Sequence, residues 1–135
     1  FLFMGFYMCA FLDQTTADKR IEWWEYFEEL MSKEFGNKYF SVRKYLREIG
    51  YKDANVQLTA QDLQDIKDGK IPIMASTGAV DGVHVTSRIS ACVANEILKR
   101  LKGLGYINSY NEINVMKYDN GQTSTNPDDF LPPQS

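Results

Sequence analysis

The sequence predicts a helix-dominated α+β domain, with about four helices, one small antiparallel hairpin and extended segments at both ends. Three observations carry this. Apolar residues recur at spacings of three and four in several stretches, most of them bounded by capping residues. One stretch, residues 112–118 (EINVMKY), alternates as a strand does, and Asp119-Asn120-Gly121 follows as a turn whose Asn and Gly tolerate positive φ. The composition, 44% apolar and 24% charged over 135 residues, is that of one globular domain able to bury its own core. The chain divides into an apolar N-terminal segment (1–14), a globular domain (15–118) and a polar, proline-containing tail (119–135).

The elements follow in order. Residues 1–12 (FLFMGFYMCAFL) carry no charge and five aromatic rings. As a helix they would span about 18 Å, short of a bilayer core of about 30 Å. Three readings are open: a strand or helix of the domain itself, a surface for a partner subunit or a membrane interface, or the remainder of a longer targeting or spanning segment. Thr15 and Asp18 approximate a capping box for the first helix. Ile21, Trp24, Phe27, Met31 and Phe35 then form one helical stripe, which Gly36-Asn37 should stop. Trp23, Tyr26 and Leu30 widen the apolar surface beyond a single face. They read either as core plus rim or as an aromatic platform for a partner.

Tyr39, Val42, Leu46 and Ile49 form a second stripe capped by Gly50, with Arg43, Lys44 and Arg47 expected on a solvated face. The short joint between the two helices implies an antiparallel helical hairpin. Thr59 and Asp62 have capping-box spacing, Leu63 and Ile66 supply an apolar side, and Gly69 and Pro72 end that helix, before a short extended piece at 71–74. Thr86 or Ser87 caps the longest regular helix. Ile89, Cys92 or Val93, Ile97, Leu101 and Leu104 mark its buried side, and Glu96 and Arg100 an outer i,i+4 pair.

The chemistry is sparse. One His and two separated Cys do not make a zinc site, and no calcium-loop pattern occurs, so no metal and no cofactor is expected. Cys9 and Cys92 read as buried thiols or as one long-loop disulfide. His84 lies near Asp81, Ser76 and Ser87, but adjacency in sequence does not supply a triad's geometry. The loop 76–84 precedes a helix without matching a phosphate-binding fingerprint. Glu28-Glu29 and Asp128-Asp129 read as solvated surface. No catalytic residue is named.

Residues 85–122 run helix, L-x-x-L-G-Y-I exit, strand, turn, an order similar to the second half of a winged-helix domain. That resemblance implies a nucleic-acid face built from Arg88, Lys99, Arg100 and Lys102. The charge argues against it: 15 basic and 18 acidic residues leave a net charge of -3, with no basic field in either half. The leading expectation is a non-enzymatic structural or adaptor subunit of a multi-protein assembly. Its anchors to other protein chains would be Phe3, Phe6 and Phe11, then Trp23, then Phe130 and Leu131 in the tail, with membrane contact by the N-terminus an open variant. A winged-helix nucleic-acid binder is second, and a small enzyme using the 76–84 loop third.

Overall fold

The computed structural model describes residues 1–5, 14–70 and 85–118, with residues 14–18 described by their backbone alone. The anchors Phe6, Phe11, Phe130 and Leu131, the cap at Thr15, Cys9, the extended piece at 71–74 and the 76–84 loop lie outside the described residues.

The architecture is helix-dominated α+β. A strand β1 (Phe3–Met4) precedes helix α1 (Gln14–Phe35), and a 3-10 turn (Gly36–Lys38) leads to strand β2 (Tyr39–Phe40). Helix α2 spans residues 42–53, α3 is Ala60–Lys67, α4 is Ser87–Gly103, and a last 3-10 turn covers Val115–Lys117.

The sheet is not the expected antiparallel hairpin. β1 and β2 pair in parallel, Phe3 with Tyr39 and Met4 with Phe40, and Gly5 N–H extends the ladder to the Phe40 carbonyl at 2.9 Å. A parallel pair needs a crossover, which α1 supplies. Two-residue strands carry no periodicity, which is why Tyr39 reads by spacing alone as part of the α2 stripe. Gly5 lies close against Tyr39: a Cβ there would stand 2.5 Å from its hydroxyl, so a larger residue would displace that ring's end.

The predicted strand at 112–118 is an irregular segment ending in a 3-10 turn. Its backbone finds partners elsewhere. The Asn95 amide donates to the Ile113 carbonyl at 3.0 Å and accepts from the Ile113 N–H at 2.8 Å, and the Asn114 side chain accepts from Met116 N–H. Arg88 Nε donates to the Tyr118 carbonyl at 2.9 Å. With these groups satisfied from α4, no ladder is needed.

Helix α2 departs from its sequence reading in three ways. It does not end at Gly50; a π turn (Leu46–Gly50) carries it on to Asp53, and Asn55 at φ 52° closes it. The extra residue of a π turn shifts the 3.6-residue stripe, so Tyr51 and Ala54 enter the core and Ile49 points outward. Arg43, expected in solvent, is buried, and Arg47 donates to the Ile66 carbonyl at 2.6 Å, satisfying the C-terminal end of α3.

Other signals hold as read. Thr59 and Asp62 form a complete capping box and Thr86 rather than Ser87 caps α4; Arg100 donates to Glu96 at 2.9 Å as its spacing implies, but the pair is half-buried over Phe40 instead of lying on the outer side. Gly69 sits at φ +80°, with Ile21 Cδ1 only 2.7 Å from where a Cβ would stand. The core is built from Phe40, from Val42, Tyr45, Leu46 and Tyr51 of α2, from Ala54, Val56 and Leu58 after it, and from Ile89 and Cys92 of α4. Among the described residues α1 contributes none of this cluster.

Candidate functional site

Helix α1 is tied to the domain by a buried polar latch. Glu28 and Arg43 are each 1% exposed. Arg43 donates to Glu28 Oε2 from Nη2 at 2.8 Å and from Nε at 3.3 Å, and to the Gly69 carbonyl at 3.4 Å. The Ser41 hydroxyl, which also caps α2, donates to the other Glu28 oxygen. The latch therefore joins α1 to the start of α2, and through Arg43 to the chain just beyond α3. Glu28 was expected in solvent. Its position on the same face as Ile21, Trp24 and Phe35 was the one sign of its burial. Tyr39 lies beside the latch; burial first, and the Glu28 charge second, push its hydroxyl up to about 12.

The opposite face of α1 is apolar and open to solvent. Trp23 is 58% exposed, Tyr26 62% and Leu30 47%. These positions, i, i+3 and i+7, form one stripe on the helix. Trp23 stacks on Phe27 with centroids 5.6 Å apart and planes at 5°, and meets Trp24 edge-on at 5.2 Å. Trp24 in turn sets its edge to Phe27 at 5.6 Å. The rings thus brace one another before any partner arrives, so little side-chain entropy remains to be lost on binding.

The N-terminal anchor Phe3 sits elsewhere. It packs on Phe35 at 4.6 Å and on Phe1 at 5.1 Å, and stays partly exposed as one of a three-ring cluster at the C-terminal end of α1. Lys38 Nζ lies 4.9 Å from the centre of the Phe1 ring, and the terminal ammonium donates to the Tyr106 hydroxyl at 2.7 Å. Phe3 and Trp23 are therefore both partly open to solvent, at different places on α1.

The four basic residues divide in two. Lys99 and Lys102 are exposed. Arg88 is held by the Tyr118 carbonyl and by the Ala54 carbonyl at 3.3 Å. Arg100 is paired with Glu96 and lies 4.3 Å over the Phe40 ring. Lys99 also borders a polar cleft of about 270 Å³ with Asp53, Asn95, Glu96, Tyr110 and Glu112. Asp53 there accepts from the Tyr45 hydroxyl at 2.9 Å, and Asn95 is committed to Ile113. Cys92, at the floor of the cleft, is a free thiol that burial pushes up to about 11, so it stays protonated and unreactive near neutral pH.

Among the described residues no group of three His, Cys, Asp or Glu could hold a metal ion, and no helix is long and apolar enough to cross a membrane. Comparison with family models, with curated proteins and with solved structures finds no match to the chain.

Proposed function

We propose that the chain is a non-enzymatic structural or adaptor subunit that works by binding other protein chains. One observation carries this reading: α1 presents Trp23, Tyr26 and Leu30 to solvent while adding no residue to the apolar core cluster among the described residues. A 22-residue helix held by a polar latch and leaving its aromatic stripe open is suited to contact, since Trp and Tyr are the residues that most often anchor interfaces. The half-exposed Phe1–Phe3 cluster would extend the contact, and Phe6, Phe11 and the tail residues Phe130 and Leu131 belong to the same reading.

The test is site-specific photo-crosslinking from position 23, with exposed Lys67 as the control position. Adducts with defined protein chains from position 23 alone support the reading; equal or no labelling from both overturns it. The winged-helix nucleic-acid reading, with α4 as reading helix, rests on Lys99 and Lys102, its two exposed cations. A titration with duplex and single-stranded oligonucleotides at about 50 and 200 mM salt separates the two readings, because charge-driven binding collapses over that range. Tight, salt-sensitive binding lost on Lys99→Ala with Lys102→Ala would install the nucleic-acid reading instead.

A further inference from the structure

We propose that the partner on the α1 stripe is a second copy of the same chain, packed with its α1 antiparallel. The inference rests on the reading of α1 as a protein-contact surface and names the occupant of that surface.

The argument is the arrangement of charge around the stripe. Arg20, Phe27 and Glu34 are seven residues apart and share one flank of the helix. Glu22 and Lys33 lie on the other flank, beside Tyr26. All four charged residues are exposed. A two-fold axis across the helix near residue 27 sends each flank onto the same flank of the second copy with the direction reversed. Arg20 and Glu34 lie equally far from that axis, about 10 Å at 1.5 Å per residue, so each meets the other across the interface. Glu22 and Lys33 lie five and six residues from it and also meet. Trp23 then falls opposite Leu30, with Tyr26 and Phe27 at the centre. Both of these flanking contacts are attractive, and each occurs twice. A parallel pairing in register would set Lys19, which is exposed and continues the Trp23, Tyr26 and Leu30 stripe, on its own copy, which is repulsive.

Other occupants fit less well. The chain's own tail is acidic, with Asp119, Asp128 and Asp129 and no Lys or Arg, and would meet Glu22 and Glu34. A uniformly basic partner would meet Arg20 and Lys33. The pattern of both signs, reversed about the centre of the stripe, is complementary to itself.

The experiment is sedimentation equilibrium of the full chain from about 1 to about 500 μM, with far-UV circular dichroism as the control for folding. A reversible monomer–dimer equilibrium is expected, abolished by Trp23→Ala with Tyr26→Ala. Arg20→Glu alone and Glu34→Arg alone should each raise the dimer Kd about tenfold, because each swap acts twice across the axis. The double variant Arg20→Glu/Glu34→Arg should return it to within about threefold of the parent. A double variant that dimerises more weakly than either single one would indicate parallel packing, in which position 20 faces Glu22 and position 34 faces Lys33, and would overturn the proposal. So would a chain that is monomeric throughout, or a dimer indifferent to position 23. If the chain is monomeric but position 23 crosslinks to a different protein, this inference falls and the subunit reading stands. If neither dimer nor crosslink forms, both fall.

Discussion

Replacing Arg43 by Met tests how α1 is held. The substitution removes two donors to Glu28 and one to the Gly69 carbonyl, and leaves a carboxylate, 1% exposed, with the Ser41 hydroxyl as its remaining hydrogen-bond donor among the described residues. Breaking one side of a buried ion pair costs about 3–5 kcal/mol, because the surviving charge stays desolvated without compensation. That is a large share of the roughly 5–15 kcal/mol that holds a domain of this size together. It should lower Tm by about 10–20 °C, scaling from domains somewhat smaller and larger than this one. Removing both charges, as in Glu28→Gln/Arg43→Met, should recover more than half of the loss, since no uncompensated charge is then buried. The assay is urea unfolding of the parent, the two single variants and the double variant, followed by Trp fluorescence. Trp23 and Trp24 both sit on α1, so the signal reports the helix that the latch anchors. A loss under about 1 kcal/mol from Arg43→Met would refute the reasoning. It would mean that Glu28 reaches water and that α1 is held by something else.

Three more outcomes follow from the same geometry. Asn95→Ala removes both bonds to Ile113 and should cost about 1–3 kcal/mol, with amide exchange at Ile113 rising towards the unfolded rate; unchanged protection there would show that the 106–118 segment is held by other means. Thr59→Ala dismantles the capping box of α3 and should cost about 1 kcal/mol in urea unfolding, a loss that Thr59→Ser should largely avoid. Alkaline pH should destabilise the fold. The folded-state values of Cys92 (about 11) and Tyr39 (about 12) are raised above the ordinary 9 and 10, so the stability they contribute is complete below pH 9 and is lost as pH rises through 9–12. In a Cys9→Ser background, thiol titration should then find Cys92 nearly unreactive at pH 8 and reactive as the fold opens; full reactivity at pH 8 would contradict its burial.

Local rules within the sequence sufficed for much of the helical framework. The capping residues Thr59, Asp62 and Thr86 act on N–H groups only three residues away, and the stop at Gly36 follows from its own backbone freedom, so both are legible without knowledge of the fold. Trp23 was legible as a candidate contact because its stripe exceeded what one buried face can take. The remainder was decided by partners distant in sequence. Ser41 and Arg43 reach Glu28 from the start of α2, and Gly69 reaches Arg43 from beyond α3; beyond the face that Glu28 shares with Ile21 and Trp24, nothing near it or Arg43 in sequence distinguishes them from surface charges. Asn95, eighteen positions before Ile113, takes the hydrogen bonds that an alternating EINVMKY would otherwise have offered a strand. The π turn in α2 displaced the periodicity on which Ile49 had been placed inside. The two short strands pair in parallel because α1 carries the chain back beside its own start. Backbone propensity and capping act over one helical turn and can be read from residue order, whereas burial of a charge and pairing of a strand depend on which distant groups arrive to satisfy them, and only the tertiary structure supplies those.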